Sequence, residues 1–513
     1  MIENARQAFQ LGRHGDAERL CHQILSVDAR HADSLHLLGM IAFQTGRYQI
    51  AAERIRKAIL IDCGRAAYQS NLGAVLRAQG KLEDAAACFE RALALDPDLA
   101  VGQMNLGGVL HAQGKLDEAA VRCRQALALR PQLAEAHMNL ATVFHAQGRL
   151  HDAFQLCQRA LALKPELAEA HHNLGRILRS LGRTEEASLC YRRTLALEPR
   201  CAQAHFGQSL VQLLQGDFAS GWPNYEWRWQ SEDQDTPKRA YPQPLWRGQR
   251  LGSGRLLLWG EQGVGDEVFF AGLIPDVIRA GNRCTLDCDP RLRPLFARSF
   301  PEIEVVSGHR PDRPGTPEIA AHLPIGSLPA LFRSSSAAFA SIQSPYLVAD
   351  PVARQRFRAR YADGRRLVGL AWQTKSPKAA RSRSINLSLL APLFALPGIR
   401  WISLQYGDHD ALQAQAAEAD APILIDRTVD QFSDLDGFAS QIAAMDTVLA
   451  IDNSTAHLAG SLGVPTCVLL PFAADWRWFE KREDSPWYPT LRLFRQPQPD
   501  DWPSVVQRLS GTL

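Results

Sequence analysis

The hydrophobic and polar positions of the chain repeat with a period of 34 residues between Gly12 and Gly216. Each repeat contains two apolar-faced stretches of helical period, separated by a glycine. Seven such glycines follow one another at this spacing: Gly12, Gly46, Gly80, Gly114, Gly148, Gly182 and Gly216. An alanine stands five residues after each of the first six: Ala17, Ala51, Ala85, Ala119, Ala153 and Ala187. The pattern predicts a series of similar helical hairpins.

These hairpins resemble the tetratricopeptide repeat, which has the same period. We expect the glycine to end the first helix of each unit in a left-handed turn, and the alanines to let the two helices approach closely. Prolines that recur on the same period are expected in the first turn of the next unit: Pro97, Pro131, Pro165 and Pro199. Because a helix pair buries its apolar face only by stacking on its neighbours, we predict an α-solenoid with a concave groove over residues 1–230, made of six full repeats and a divergent capping unit.

Asparagine recurs on this period in the first helix of four units, at Asn71, Asn105, Asn139 and Asn173. Asparagine is a poor residue for a helix interior, so its recurrence needs a reason. In protein O-GlcNAc transferases, which these repeats resemble, such asparagines line the groove and hold the backbone of an extended polypeptide. An amide suits that role because it both donates and accepts hydrogen bonds. The alternative is that each asparagine only bonds a neighbouring helix.

The last unit replaces small residues by aromatic ones, at Phe218, Trp222, Tyr225, Trp227 and Trp229. A terminal repeat must differ from the others because it covers the end of the stack, so we interpret these rings as a cap. The alternative is a platform on which a sugar stacks.

The pattern changes after the repeats. Residues 231–254 are rich in proline, glycine and mixed charge, which is typical of a linker. Short apolar runs then alternate with amphipathic stretches, which indicates βαβ units and parallel sheets. The pattern restarts at residues 365–372. We therefore predict two Rossmann-type halves, an acceptor-side half over residues 255–350 and a nucleotide-sugar-binding half over residues 351–513, with ligands beyond the carboxyl ends of the strands.

Composition narrows the class of protein. The chain has 513 residues, 46% hydrophobic and 22% charged, as an ordinary multidomain globular protein does. No apolar run approaches the roughly 20 residues of a membrane span, and the first residues lack a secretory signal, so we expect a cytoplasmic protein. The net charge of +3 gives no general footprint for nucleic acid.

Ten cysteines raise the question of metal or disulfides. Five fall at apolar core positions of the repeats and are interpreted as small buried hydrophobes: Cys21, Cys88, Cys123, Cys157 and Cys190. Cys284 and Cys288 are close in sequence but lack a second ligand pair. We expect no metal and no cofactor.

Three segments at predicted strand ends carry candidate chemistry. In the first, residues 259–270, a strand leads through Gly263 and Gly265 into a helix that begins near Asp266. The glycines permit close approach of the backbone to a ligand, although this turn alone is a weak signal. The alternative role of Asp266 is an acidic cap of the helix.

The second segment, residues 371–387, is a polar loop with four cations, Lys375, Lys378, Arg381 and Arg383. Cations at a strand end suit a diphosphate. A solvated loop with scattered charge is the alternative.

In the third segment a buried strand ends at Asp452, Asn453, Ser454 and Thr455, and a helix carrying His457 follows. The helix N-terminus offers unpaired N–H groups to a phosphate, the two hydroxyls can add contacts, and Asp452 can accept sugar hydroxyls. His457 is either a ligand-facing residue or a satisfied core histidine.

The order of these segments resembles the heptosyltransferase-type (family 9) glycosyltransferases of the GT-B fold, and also bacterial proteins that join tetratricopeptide repeats to such a domain. The shared motifs are E-Q-G-x-G-D, R-S at 383–384, D-[NT]-x-x-A-H-L-A-G from 452, D-W-R-W at 475–478 and S-P-W-Y-P at 485–489. Two departures are the short acceptor-side half and the asparagine at 453, where many relatives have threonine.

The resemblance implies roles for individual residues. Asp266 maps onto the general base toward the acceptor hydroxyl, and His457 is the second candidate catalytic residue. Donor binding is assigned to the glycines, cations and helix start already named: Gly263, Gly265, Lys375, Arg381, Arg383, Asp452, Asn453, Ser454 and Thr455. Asn71, Asn105, Asn139 and Asn173 are assigned to the acceptor peptide.

The leading hypothesis is a metal-independent glycosyltransferase that uses a nucleotide sugar and a polypeptide acceptor recruited by the repeats. One alternative is a non-enzymatic scaffold whose sugar-nucleotide fold has lost turnover. Another is transfer onto a lipid-linked or lipopolysaccharide glycan.

Overall fold

The computed structural model describes residues 1–231, 238–308, 319–374 and 380–513, which form two compact units, Met1–Ile177 and Leu178–Leu513. The periodicity places the end of the solenoid at residue 230, but the division between the units falls earlier. The last helices of the repeat series group with the α/β part because their apolar side chains are buried against it.

The first unit consists of antiparallel helix pairs. Its helices are α1 Ile2–Gln10, α2 His14–Val27, α3 Ala32–Gln44, α4 Tyr48–Ile61, α5 Ala66–Ala78, α6 Leu82–Leu95, α7 Ala100–Ala112, α8 Leu116–Leu129, α9 Ala134–Ala146 and α10 Leu150–Leu163. Helix α11, Ala168–Ser180, continues into the second unit. None of the helices in the described residues is long and apolar enough to cross a membrane.

The repeat glycines adopt the predicted left-handed turn, with φ between +70° and +81° at all seven positions. The repeat alanines of this unit are fully buried between the helices of a pair: Ala17, Ala51, Ala85, Ala119 and Ala153. A Cβ added at Gly107 would lie 2.6 Å from Sγ of Cys123, which shows how closely α7 and α8 approach. Small residues therefore set the spacing within each hairpin, as the sequence predicts.

The prediction for the prolines was wrong. Pro97 lies in the turn between two repeats, three residues before α7 begins at Ala100. The turn suits proline because it uses the restricted φ of proline and needs no N–H donor there. The carbonyl oxygens of the three later prolines accept a hydrogen bond from a histidine six residues on, as at Pro131 and His137 (2.9 Å).

The second unit begins with the helices α12 Thr184–Leu197, α13 Ala202–Gln215 and α14 Phe218–Tyr225, followed by a 3-10 helix, Glu226–Gln230. Of its aromatic residues, Phe218, Trp222 and Tyr225 are at most 3% exposed and pack on Trp476 and Phe479 of the α/β part. These three rings act as the predicted cap and are not available to stack on a sugar.

A four-stranded parallel sheet follows, in the order β3-β2-β1-β4. Its strands are β1 Arg255–Trp259, β2 Arg283–Asp287, β3 Glu304–Val306 and β4 Ile319–Pro324. Its helices are α15 Val264–Ala271, α16 Ile274–Arg279, α17 Arg293–Ser299 and α18 Leu328–Phe332, with short 3-10 turns at Ile325–Ser327 and Ser336–Ser341. Helix α19, Pro351–Tyr361, leads to the second sheet.

The second sheet has six parallel strands in the order β10-β9-β8-β5-β6-β7. They are β5 Arg366–Ala371, β6 Ile399–Ser403, β7 Ile423–Leu424, β8 Thr447–Ile451, β9 Thr466–Leu470 and β10 Leu491–Arg495. The helices are α20 Ala380–Arg383, α21 Ala391–Phe394, α22 His409–Glu418, α23 Leu435–Ala443, α24 Ser454–Ser461 and α25 Trp502–Ser510, with 3-10 turns at Leu387–Leu390 and Trp476–Trp478.

Counted from β5, the strand order of this sheet is that of a doubly wound α/β fold. Strands β5 to β7 are added toward one edge of the sheet and strands β8 to β10 toward the other edge, so β5 and β8 pair side by side in the middle. Every residue of β8 and β9 is buried, as expected when helices cover both faces of a parallel sheet. The fold thus places a topological switch point, the usual position of a ligand crevice, at the carboxyl ends of β5 and β8.

Candidate functional site

The core of the site is the start of α24, directly after β8. Asp452 directly follows the strand and is 3% exposed. The side-chain oxygen of Asn453 accepts hydrogen bonds from the backbone N–H groups of Thr455 (3.0 Å) and Ala456 (3.3 Å) and so caps the helix. An asparagine at this position therefore has a local structural role, which explains how the chain tolerates the departure from threonine.

The four-stranded sheet contributes α15, whose first turn carries Asp266. A carboxylate oxygen of Asp266 accepts a hydrogen bond from the backbone N–H of Gly263 (3.2 Å), so the predicted capping role is realised. A Cβ added at Gly265 would lie 3.4 Å from Cβ of Ser454. The first turns of α15 and α24 therefore meet at Gly265, and Asp266 comes to the switch point of the other sheet.

Five charged side chains form an alternating series that we call the ion-pair chain: Asp266, Arg477, Asp475, Arg383 and Asp452. Nη2 of Arg477 lies 2.5 Å from Asp266, and Nη1 lies 2.8 Å from Asp475. Arg383 lies 3.7 Å from Asp475 and 3.0 Å from Asp452. The ion-pair chain links α15, which packs on the first sheet, to the carboxyl ends of strands in the second sheet.

The electrostatics of the three carboxylates differ. Burial raises the pKa of Asp266 and of Asp452, against the opposing charge of the nearest arginine in each case. Burial also disfavours the charged form of Asp475, but Arg477 and Arg383 outweigh it and lower the pKa of Asp475 to about 2. Asp475 is therefore the carboxylate most firmly held in its ionised form, and Asp266 and Asp452 are the more readily protonated ones.

His457 lies one turn into α24 and is 7% exposed. Its Nδ1 is 3.0 Å from the hydroxyl of Tyr488, and its ring stacks on Trp478 at a centroid distance of 5.2 Å. Burial and the charge of Arg477 lower the pKa of His457 to about 3, so the ring is neutral at pH 7. The hydrogen bond occupies Nδ1, which leaves Nε2 as the nitrogen that can serve a ligand.

Several buried polar atoms near the ion-pair chain have no hydrogen-bond partner in the part of the chain that the structure describes. They are Asn453 Nδ2, Thr455 Oγ1 and Arg477 Nε. Buried polar groups are nearly always paired with protein, water or a ligand. These three atoms lie near the start of α24, where water or a ligand could complete their hydrogen bonds.

The predicted cations separate in the structure. Arg383 joins the ion-pair chain. Arg381 instead lines a cavity of about 330 Å³, together with Trp372, Asn386 and Glu418. Lys375 and Lys378 lie outside the described residues. We expected the cations of this loop to form one phosphate-binding cluster. Among the described residues, only Arg383 lies beside the other residues of the site.

Sequence reasoning missed the role of Arg477 and Asp475. Both belong to the motif at 475–478, but the pairing of Arg477 with Asp266 joins residues 211 positions apart and leaves no local pattern. It also missed a buried ion pair in which Arg228, in the aromatic last unit, donates to both carboxylate oxygens of Glu261 (2.8 and 2.9 Å). A charged residue between two tryptophans was the available signal for that pair.

The four repeat asparagines lie on α5, α7, α9 and α11. Asn71 Nδ2 is 2.9 Å from Nε2 of His36, and Asn139 Nδ2 donates to the carbonyl oxygen of Met104 (3.5 Å), each on the preceding first helix. These bonds fit the interhelical alternative for two positions. The peptide-binding role stays a prediction.

Comparison with known families agrees with the helical part. Models described as tetratricopeptide repeat match residues 2–69 and 132–200, and a model described as TPR repeat matches residues 73–114 and 107–148. The N-terminal region is a tetratricopeptide-repeat array.

Among curated proteins, the chain is homologous to protein FlbA of Caulobacter vibrioides, with 31% identity over 327 residues, which cover 60% of this chain and 54% of FlbA. The chain thus spans about half the length of that relative. Similar solved structures include the Cut9–Hcn1 hetero-tetramer of APC/C, with a TM-score of 0.41, 17% identity and 44% of each chain covered. A thermophilic TPR protein of Thermus thermophilus has a TM-score of 0.33 and 22% identity, with 36% of this chain and 99% of that chain covered.

Proposed function

We propose that this protein is a glycosyltransferase that moves a sugar from a nucleotide-sugar donor to a polypeptide recruited by its tetratricopeptide repeats. The observation that carries the proposal is the meeting of Asp266 with Asp452, Arg383 and the start of α24 at the switch point of the six-stranded sheet. Two successive parallel sheets support the GT-B architecture implied by the sequence resemblance.

The start of α24 supports binding of the donor. The partial positive charge of its N-terminus suits a diphosphate, and Arg383 adds a full positive charge beside it. The unpartnered atoms of Asn453 and Thr455 supply a donor and a hydroxyl for the same ligand. Asp452 can accept hydrogen bonds from sugar hydroxyls.

Asp266 is the residue proposed to act on the acceptor. It is 29% exposed and its pKa is raised by burial, two properties that suit a general base. In the proposed step the acceptor oxygen forms a bond to the anomeric carbon and its proton passes to Asp266. The bond from that carbon to the diphosphate breaks, and the nucleoside diphosphate leaves with the electron pair. Arg383 and α24 stabilise its negative charge.

The repeats supply the partner. Tetratricopeptide repeats stack into extended concave surfaces on which polypeptides bind. The partly exposed amides of Asn71, Asn105 and Asn139 lie on the first helices of their repeats, where they can contact an extended backbone. We therefore propose that the acceptor is a protein.

A thermal-shift panel of UDP-, GDP-, ADP- and dTDP-sugars tests the donor site. A donor present at 100 times its Kd should stabilise the protein by about 2.7 kcal/mol. If none of the four raises the melting temperature, the proposed donor site is wrong.

Turnover then tests the chemistry. With the donor identified, Asp266→Asn should keep donor binding and lose roughly 10²–10⁴-fold of sugar transfer or donor hydrolysis. Asp484→Asn, an exposed aspartate paired with Arg482, is the matched control and should keep full turnover. Donor binding without turnover in the unmodified protein would favour the scaffold alternative.

A further inference from the structure

Arg477 lies in the candidate site, but the proposed reaction gives it no role. It is shared between two carboxylates, Asp475 on its own 3-10 turn and Asp266 on α15. We propose that Arg477 is a diphosphate-responsive positioning residue: the diphosphate of the donor takes the guanidinium away from Asp266 and thereby frees the base. The proposal rests on the proposed function, because it assigns the diphosphate and Asp266 to the same site.

The first support is the balance of charge. The ion-pair chain contains three carboxylates and two guanidinium groups, so each arginine is already engaged by carboxylates. A diphosphate can use these arginines only by displacing a carboxylate from them. Arg477 and Arg383 each have a partner to give up.

The second support is that the two bonds of Arg477 differ in how firmly they are held. Asp475 also accepts a hydrogen bond from the backbone N–H of Arg477 (3.2 Å), so this pair is local and rigid. The guanidinium lies over the rings of Trp476 (4.5 Å) and Phe269 (5.0 Å), which keep it in the crevice. Asp266 comes from the other sheet and is its exchangeable partner.

The third support is an unmet hydrogen bond. Arg477 is 8% exposed, and its buried Nε has no partner within the described ranges. Buried guanidinium donors are normally satisfied, so this N–H marks a place for an acceptor oxygen. Phosphate oxygens are well matched to the fork of N–H donors of arginine.

Two consequences follow if Arg477 exchanges Asp266 for the diphosphate. While the crevice is empty, Arg477 neutralises Asp266 and holds it as an ion pair. Once a diphosphate engages Arg477, Asp266 is a partly buried carboxylate without its cation, which makes it a stronger base. The donor would therefore have to bind before the acceptor is deprotonated.

The test uses inorganic pyrophosphate, titrated into the full chain by isothermal calorimetry at constant ionic strength. Asp266→Asn removes the competing carboxylate, so pyrophosphate should bind about fivefold more tightly than to the unmodified protein. Arg477→Gln should weaken binding about tenfold or more, and Arg477→Lys should fall between the two because it keeps the charge but loses the fork. Arg482→Gln, on an exposed arginine five residues further along, should leave the Kd unchanged.

Asp266→Asn is the decisive variant, because Asp266 is partly exposed and its loss leaves Arg477 paired with Asp475. Equal or weaker pyrophosphate binding by Asp266→Asn would overturn the proposal, and so would unchanged binding by a folded Arg477→Lys. Opposite shifts in the Asp266 and Arg477 variants, with no sugar transfer by the unmodified protein, would support the exchange and reject the transferase. Sugar transfer by the unmodified protein without these shifts in pyrophosphate binding would reject the exchange and leave the proposed transferase function standing.

Discussion

Replacing Arg228 by methionine should destabilise the second unit strongly. Arg228 is 0% exposed, donates to both oxygens of Glu261, and also donates to the hydroxyl of Ser327 (2.9 Å). Methionine fills a similar volume but leaves Glu261 buried with two neutral donors, the backbone N–H of Gly326 (3.0 Å) and the side-chain amide of Gln262 (3.5 Å). Removing one partner of a buried pair costs about 3–5 kcal/mol, because the other charge stays in a medium that solvates it poorly.

Tryptophan fluorescence is the assay, because all eleven tryptophans follow residue 178 and report on the second unit alone. With a urea dependence of about 2–3 kcal/mol/M, the expected loss moves the unfolding midpoint down by about 1–2 M. The double variant Arg228→Met with Glu261→Gln should be more stable than the sum of the single losses predicts, since it leaves no unpaired charge. Arg482→Met, whose partner Asp484 is exposed, should cost at most about 1 kcal/mol. A loss below about 1 kcal/mol for Arg228→Met would refute the argument from burial.

Two further predictions concern a turn and a titrating carboxylate. Gly80→Ala should destabilise the repeats, because φ is +74° at Gly80 and a Cβ in that conformation costs about 1–2 kcal/mol. The melting temperature measured by far-UV circular dichroism should fall, and the transition measured by tryptophan fluorescence should not move. Gly64→Ala, at a position without positive φ, is the control and should be near neutral. Burial raises the pKa of Glu267 to about 7, so the folded state retains a proton that the unfolded state releases between about pH 4.5 and 7. The stability of the unmodified protein relative to Glu267→Gln should therefore fall as pH rises from 5 to 8, by on the order of 1–3 kcal/mol. A difference that is constant with pH, or the same trend in exposed Glu302→Gln, would contradict this assignment.

The repeat array was predictable because its determinants are local. Three determinants act within one hairpin: a glycine in a left-handed turn, an alanine at a close helix contact and an apolar face of helical period. The period of 34 residues repeats the glycine at seven positions, so the pattern is easy to recognise. The prolines were misplaced because both a helix start and a turn accept the restricted φ of proline, and the local pattern does not separate them. The sequence also did not show that α13 and α14, which follow the repeat pattern, bury apolar side chains in the core of the α/β part.

The candidate site was predictable in part. Strand ends and helix starts are visible as a buried run followed by polar residues, so Asp266 and the segment at 452–457 were identified as candidates. The bonding partner of Asp266 was not, because Arg477 approaches it from another sheet across 211 residues of sequence.

By itself, the sequence determined the solenoid, the alternation of strands and helices, and the residue types gathered at two strand ends. These depend on periodicity and on the chemistry of short segments. The tertiary structure alone decided that the order of the six strands creates a switch point between β5 and β8 and that α15 meets α24 there. It also decided that Arg477 and Arg383 pair with three carboxylates. Such pairings depend on which strands lie side by side, and that is settled by packing over the whole unit.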